Sequence, residues 1–436
     1  MVVLYGRRRC GKSRLLLEAL PGRPTVYYVA DDRAGALQLG ALAAESARLV
    51  PGFDRVTYPD WDAILARLWA EAPPGAVLAI DEFPALAAVA RELPSLLQKR
   101  IDRPGNGPHV VLAGSSQRMM QGLILDRAAP LYGRATEILK VGPLPCAWIR
   151  KALRLRGQRA AVEAYAIWGG VPRYWELAAD FADQEAALQD LVLSPLGVLH
   201  DEPARLLLDD LRDLTQAASI LTLIGQGCHR LSEIAGRLGR PATSLARPLD
   251  RLLDLELVRR DIPFGASPRD TKRSLYRIAD PFVRFWFRFV ERNRSRLEAR
   301  QIAAVAREVR GQFPRHVAGV WEDLVRASIP RQRYFGRAWR EARPWWGAGR
   351  DRSPLEIDVV AESTDGRALL LGEVEWTHRP DLSRRSAELR QKAQAFPHAG
   401  QRHIHLGLWT PLAGTAQAAR HDPRCFGPAD VVRALT

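Results

Sequence analysis

The sequence is short of cysteine, methionine and lysine, and it has no long apolar run. Its four cysteines, Cys10, Cys146, Cys228 and Cys425, form no CxxC pair. That argues against a zinc knuckle and against a disulfide framework. No apolar stretch approaches the ~18 residues that a membrane span needs. The most aromatic segment, DPFVRFWFRFV (280–290), is interrupted by Arg284 and Arg288. No secretory leader is expected from the first residues: Arg7, Arg8 and Arg9 precede only the short LLLEAL, and no small-residue cleavage site follows. No membrane partner is expected, and the expected compartment is the cytoplasm.

Scarce lysine does not mean scarce positive charge. Lys and Arg total 64 against 49 Asp and Glu, a net charge of +15 carried almost wholly by arginine. Such a balance favours polyanionic partners, DNA above all, and says little about fold. The preference for arginine over lysine follows as readily from a biased codon supply as from phosphate binding. At 436 residues the chain exceeds what a single core accommodates, so two to four domains are expected. A hydrophobic fraction of 47% is ordinary for a soluble globular protein.

The segment VVLYGRRRCGKSRLLLEAL (2–20) reads as an apolar strand, a loop and an amphipathic helix. The loop fits GxxxxGK[ST] from Gly6 to Ser13, the pattern of a phosphate-binding loop in its proper setting. Gly6 and Gly11 allow the backbone of Arg7, Arg8, Arg9 and Cys10 to wrap closely around phosphates with its N–H groups pointing inward. Lys12 is placed to bridge the β- and γ-phosphates of ATP, and Ser13 to offer a hydroxyl to Mg²⁺; the helix start adds partial positive charge. A second apolar run, AVLAIDEFPAL (76–86), ends in Asp81-Glu82. It reads as a buried parallel strand that delivers Asp81 towards Mg²⁺ and Glu82 towards the attacking water. The simpler reading is a strand followed by an N-capping acid. Further short apolar runs at 25–32, 109–117 and 135–144 alternate with helical stretches, the pattern of a doubly wound parallel sheet. Ser115 or Ser116, at the tip of one run, is placed to sense the γ-phosphate or water. Arg134 is placed either to reach a phosphate, in its own or a neighbouring subunit, or to make a structural ion pair.

In order, YGRRRCGKS, IDEFP, LAGSS, PLYGR, GGVPRY (169–174) and YRIADPFVRFWFRFV (276–290) resemble the archaeal-type ATPases of the AAA+/STAND group, with a P-loop ATPase, a winged helix and a C-terminal nuclease-like (DUF234-type) domain. The resemblance covers nearly the whole chain. It implies an α/β fold with residues 1–145 as the P-loop ATPase core and 146–212 as a helical lid. It further implies a winged helix over 213–290, a linker over 291–312 and an α/β nuclease-like domain over 313–436. The turn ending at Pro172 would then lie near the adenine. Family members usually carry a segment before the first strand; here Met1 begins that strand, which leads us to expect a late-assigned start or a less complete adenine pocket.

The middle segment, 218–261, has helix-turn-helix character, with a hairpin expected from LVRRDIPF and KRSLYRIAD. In a DNA reader, Thr243, Ser244 and Arg247 would face the major groove. Pro248 falls where the third helix should already run, so the helix is expected to start late. In STAND-like ATPases such domains also serve as relays, which leaves DNA reading and intramolecular packing both open.

In the tail, HVAGVWEDLVRASI (316–329) reads as a helix carrying Glu322, and 355–362 and 368–376 read as strands around a turn at Asp365-Gly366. By alternation Glu356 shares a face with Asp358, and Glu373 with Glu375. Paired carboxylates suit Mg²⁺ and metal-assisted hydrolysis of a phosphodiester. The layout resembles the PD-(D/E)xK nuclease fold, with Asp358 and Glu373 as metal ligands and Glu375 where lysine is usual. Three readings stand: Glu375 is a further ligand, Lys392 supplies the displaced cation, or the site is inactive and binds. A plain amphipathic hairpin with solvated acids is the simpler alternative. His403 and His405 share a strand face, as a metal pair or as a half-exposed surface.

The leading expectation is an ATP-driven, DNA-directed switch protein, possible as a nucleotide-dependent homo-oligomer. A competing class is a signalling or scaffold ATPase whose winged helix and inactive tail bind protein. A metabolic kinase would fit the P-loop but neither of the other parts.

Overall fold

Five short apolar runs pair into one parallel sheet. They are β1 (Val2–Tyr5), β2 (Thr25–Val29), β3 (Val77–Asp81), β4 (His109–Gly114) and β5 (Glu137–Lys140), in the order β2-β3-β4-β1-β5. The computed structural model describes residues 1–436 except 104, 106, 211–213, 268, 270–272, 378–379 and 413–422, and except the side chains of 208–210 and 214. The chain divides into two compact units, Met1–Pro143 and Leu144–Thr436.

In the first unit β3 is buried at all five positions, which is why Val-Leu-Ala-Ile-Asp reads as a continuous run and not as an alternation. Along β1 the alternation reappears: Val3 joins the apolar core on one face and Leu4 the core on the other. Both faces are therefore covered, as in a doubly wound sheet. Because all strands run the same way, Tyr5, Asp81 and Gly114 arrive together at one edge. The loops that leave that edge carry the candidate site.

The second unit begins with short helices and then places three helices, Leu214–Gly225, Leu231–Leu238 and Ala246–Asp254, before an antiparallel pair, β6 (Val258–Asp261) and β7 (Leu275–Ile278). Ala246 starts the third of these helices, so Pro248 falls in its first turn, where no intrahelical donor is lost. Thr243 and Ser244 lie in the preceding 3₁₀ turn, Ala242–Leu245. The second sheet contains β8 (Arg343–Ala348), β9 (Pro354–Glu362), β10 (Ala368–Val374), β11 (His403–Trp409) and β12 (Arg424–Phe426), in the order β12-β11-β10-β9-β8. The β9–β10 turn falls at the expected Asp365-Gly366, with Gly366 at φ 71°.

Two expectations on organisation need correction. Residues 291–312 are not a linker: a 27-residue helix, Ile302–Ser328, runs through the 312/313 boundary. Its apolar stripe starts early, at Val305, Ala306 and Val309, and Pro314 is accommodated inside it. Nor are the segments 146–212, 213–290 and 313–436 separate bodies, because one apolar core spans Cys146 to Leu435. The Tyr174 ring lies 4.6 Å from Phe282, and the indole N–H of Trp286 donates to the carbonyl of His200. The boundary expected at 212/213 lies outside the described residues. Helices this short cannot each bury enough apolar surface alone, and pooling them in one core resolves that.

His316 sits at the centre of this core, donating from Nε2 to the carbonyl of Ala166 at 2.8 Å and flanked by Phe285 and Phe289. Burial lowers its pKa from 6.5 to about 3. Below pH 6.5 the unfolded chain therefore binds a proton that the folded chain refuses, and stability falls as pH drops from 6.5 towards 3. Replacing His316 with Leu should remove that share of the acid sensitivity. Urea melts of the full chain at pH 7 and pH 5 should show a smaller difference for the variant than for the parent.

Candidate functional site

The loop between β1 and the helix Lys12–Ala19 has the backbone that its glycines permit. Gly6 lies at φ 147°, and a Cβ there would stand 2.1 Å from the carbonyl oxygen of Val141. Only glycine fits that approach. Arg9 and Gly11 follow at φ 66° and 94°, so the chain from Gly6 to Gly11 curls rather than extends. Lys12 is nearly buried, and its ammonium donates to the carbonyls of Gly6 and Arg7 at 2.8 and 3.1 Å. Burial lowers its pKa, partly offset by Glu82, Cys10 and Asp81. The loop thus closes on its own lysine and leaves Ser13 exposed at the helix start.

Across the edge, Asp81 ends β3 with only 2% exposure. Its Oδ2 accepts from the Ser13 hydroxyl at 2.5 Å and from the Tyr27 hydroxyl at 3.0 Å. Its Oδ1 accepts from the Glu82 N–H at 3.0 Å. Burial first, and then the Asp81 charge, raises the Tyr27 pKa, so the phenol stays a donor. Ser13 and Asp81 present adjacent oxygens, the donor type that Mg²⁺ prefers when it keeps several waters. Tyr27 carries no local signal in the sequence. It is found by register: Val29 lies opposite Asp81, and Tyr27 shares its face two residues earlier.

Glu82 takes the left-handed backbone, φ 52° and ψ 41°, costly for a residue with a Cβ. That conformation turns its carboxylate towards the end of β4, where Oε2 accepts from the N–H and the hydroxyl of Ser115 at 3.1 and 2.9 Å. Ser116 instead caps the next helix. Arg134 forms a forked pair with Asp102, from Nε and Nη2 at 3.0–3.2 Å, which matches the ion-pair alternative for this side chain. Pro172 belongs to the second unit, at the start of the helix Pro172–Ala179; Gly169 before it packs against Asp280 and Phe282.

In the tail the antiparallel pairing of β9 and β10 brings Asp358 and Glu373 into one electrostatic cluster with Glu322 of the long helix. Asp358 Oδ2 accepts from the Val374 N–H at 2.9 Å. Glu373 is 14% exposed, and its Oε2 lies 2.8 Å from the Lys392 ammonium. The other oxygen, Oε1, is buried without a hydrogen-bond partner. Burial and the Asp358 charge push both Glu322 and Glu373 up to about 7, against the pull of Arg326 and Lys392 respectively. Glu375 lies one residue beyond β10 and pairs with Arg385, at 3.2 and 3.3 Å, on the helix Leu382–Ala395 that also carries Lys392. Glu356 is exposed. Among the described residues no three His, Cys, Asp or Glu side chains are grouped to hold a metal. His403 and His405 pack on each other at 4.6 Å, and His405 lies against Phe335 and Trp339.

Residues 286–390 match the family model DUF234, described as archaea bacterial proteins of unknown function. An uncharacterised protein of Methanocaldococcus jannaschii is 27% identical over 389 residues, which cover 87% of this chain and 83% of that protein. A Walker-type ATPase of Pyrococcus abyssi superposes with a TM-score of 0.50 at 20% identity, over 66% of this chain and 90% of that one. The ORC2 protein of Aeropyrum pernix gives a TM-score of 0.43 at 15% identity, over 71% and 89%. The superposition on the Pyrococcus protein shows a P-loop NTPase fold, and the similarity to DUF234 is confined to residues 286–390. No helix among the described residues is long and apolar enough to cross a membrane.

The Tyr27–Asp81 bond yields a test. Tyr27→Phe keeps the ring and removes one donor from Asp81, a loss of about 0.5–1.5 kcal/mol. Affinity for nucleotide should fall about 2- to 10-fold in the presence of Mg²⁺. Without Mg²⁺ the two proteins should bind nucleotide alike, as measured by fluorescence titration.

Proposed function

We propose, for a chain that joins a P-loop NTPase fold to a DUF234 domain, that it binds and hydrolyses ATP with Mg²⁺ and uses that cycle to control a DNA-directed tail. The observation that carries the first half is the 2.5 Å contact between Ser13 Oγ and Asp81 Oδ2, 68 residues apart in sequence. It supports the reading in which the two motifs together serve Mg²⁺ and the triphosphate. When ATP enters, Lys12 exchanges its bonds to the loop carbonyls for the β- and γ-phosphates, and the N–H groups of residues 7–11 take the phosphate oxygens. Mg²⁺, held by Ser13 and through water by Asp81, would neutralise charge on the phosphates. Glu82 orients the attacking water once it releases Ser115, so its present hydrogen bonds hold the base away until the γ-phosphate draws Ser115 off. Arg134 acts on phosphate only after leaving Asp102, in its own subunit or a neighbour's. The DNA-directed half rests on the net charge of +15, the helix–hairpin order over 214–278 that suits a winged helix, and the tail.

ATP turnover of the purified full chain tests the first half. Lys12→Ala should abolish nucleotide binding. Glu82→Gln should retain binding and lower kcat by about 10²-fold or more. Turnover unaffected by either change would refute the assignment.

For the tail, the orphaned Glu373 Oε1 beside Asp358 favours metal-dependent cleavage of DNA, because two carboxylates plus waters suffice for Mg²⁺. Lys392 then holds the Glu373 side chain and supplies positive charge next to the scissile phosphate. The opposite reading, a tail that only binds, is favoured by the missing group of three ligands among the described residues. Plasmid and branched DNA incubated with Mg²⁺ or Mn²⁺ separate the two. Cleavage that is lost in Asp358→Ala establishes the nuclease, and intact ATPase with no cleavage makes the tail a binding module. DNA affinity that falls steeply with salt would favour the DNA-directed switch over a protein-binding scaffold.

A further inference from the structure

A cavity of about 510 Å³ opens in the second unit where β6, the end of the helix Ile302–Ser328 and the start of β8 converge. Five arginines line it: Arg259 and Arg260 from β6, Arg326 from the helix, Arg331 just beyond it, and Arg343 from β8. Three carboxylates, Asp261, Asp323 and Glu341, share the lining.

The two inner carboxylates are already committed. Asp323 pairs with Arg259, Arg284 and Arg326, and Asp261 pairs with Arg259 and Arg277. Glu341 is exposed. The side chains of Arg331 and Arg343 have no hydrogen-bond or ion-pair partner among the described residues. The concavity therefore keeps a surplus of guanidinium groups, which are shaped for forked bonds to phosphate oxygens. Its remaining walls, Ile262, Ala327, Pro330, Ala342 and Pro344, are apolar and leave room for an organic body beside the phosphate. The volume lies within the ~300–1,000 Å³ typical of small-molecule sites. The five arginines converge on one concavity from β6, the end of the long helix and the start of β8.

We propose that this cavity binds a phosphate-bearing small molecule of about nucleotide size, separate from the P-loop, with Arg331 and Arg343 as its phosphate-reading side chains. The site stands one guanidinium away from the tail cluster: Arg326, on its wall, also donates to the Asp358 carbonyl at 3.0 Å.

Calorimetric titration with inorganic pyrophosphate tests the proposal in the full chain carrying Lys12→Ala, which disables the P-loop as a competing phosphate site. Saturable binding is expected, and adding Arg331→Ala and Arg343→Ala should raise Kd at least tenfold. Adding Arg340→Ala should leave Kd unchanged; Arg340 is an exposed arginine outside the cavity that pairs with Glu362. Thermal melts matched to the parent show that the double change has not unfolded the unit. Pyrophosphate that fails to bind, or binds equally well without Arg331 and Arg343, overturns the proposal. Should a single-stranded oligonucleotide lose affinity on the double change while pyrophosphate binds neither protein, the arginines belong to a DNA track and the small-molecule site is refuted.

Discussion

One ionised carboxylate, Asp323, sets the geometry of the second unit. Burial alone would drive its pKa upward, but Arg259, Arg284 and Arg326 together bring it well below the usual carboxylate range. Those three side chains come from β6, from the aromatic stretch after β7, and from the next turn of the helix that carries Asp323 itself. Loss of Asp323 would leave three arginines without their shared counter-charge, a situation that costs about 3–5 kcal/mol. The pairing thus fixes how the hairpin and the aromatic segment sit on the long helix. Arg326 carries that constraint onward, since it also bonds the Asp358 carbonyl and approaches Glu322 at 3.6 Å.

The first unit is organised in the same way on a smaller scale. Asp81 gathers the P-loop helix through Ser13, the neighbouring strand through Tyr27, and its own chain through the Glu82 N–H. In both units an aspartate on a buried element accepts from donors far apart in sequence. The difference lies in the donors. Asp323 is surrounded by permanent cations and is locked. Asp81 is held by two hydroxyls and an amide, weaker bonds that a divalent cation can displace.

The inner strands of the first sheet were legible because each is a short apolar run closed by a turn, and a parallel sheet buries such runs on both faces; β5, exposed at all four positions, is an edge. The P-loop was legible because its chemistry is contiguous in sequence. Tyr27 was not, since its partner lies 54 residues away and nothing local distinguishes it from any other strand tyrosine. The helix through 302–312 was missed for another reason: Pro314 looks like a stop, yet the apolar stripe on either side continues and tertiary packing outweighs the lost hydrogen bond. The shared core was missed because aromatic residues at 280–290 give the same pattern whether they pack within one domain or between three. Asp323 drew no notice, for a single acid on an amphipathic helix reads as solvated until the arginines around it are placed.

The tail is where geometry narrows what the sequence left open. Glu375 cannot serve as a further ligand without giving up a two-contact pair with Arg385, and β10 has already ended before it. Lys392 stands against Glu373, on a helix that crosses the strands, so the displaced-cation reading asks for no rearrangement. The picture of solvated acids on an amphipathic hairpin fares worse, because Glu373 is 14% exposed and one of its oxygens meets no donor. Burial and the Asp358 charge raise the pKa of both Glu322 and Glu373, so ionising all three acids opposes folding. The acids stand beside the single lysine of a tail whose other basic side chains are arginine and histidine, the arrangement on which the proposal of an entering cation or phosphate rests.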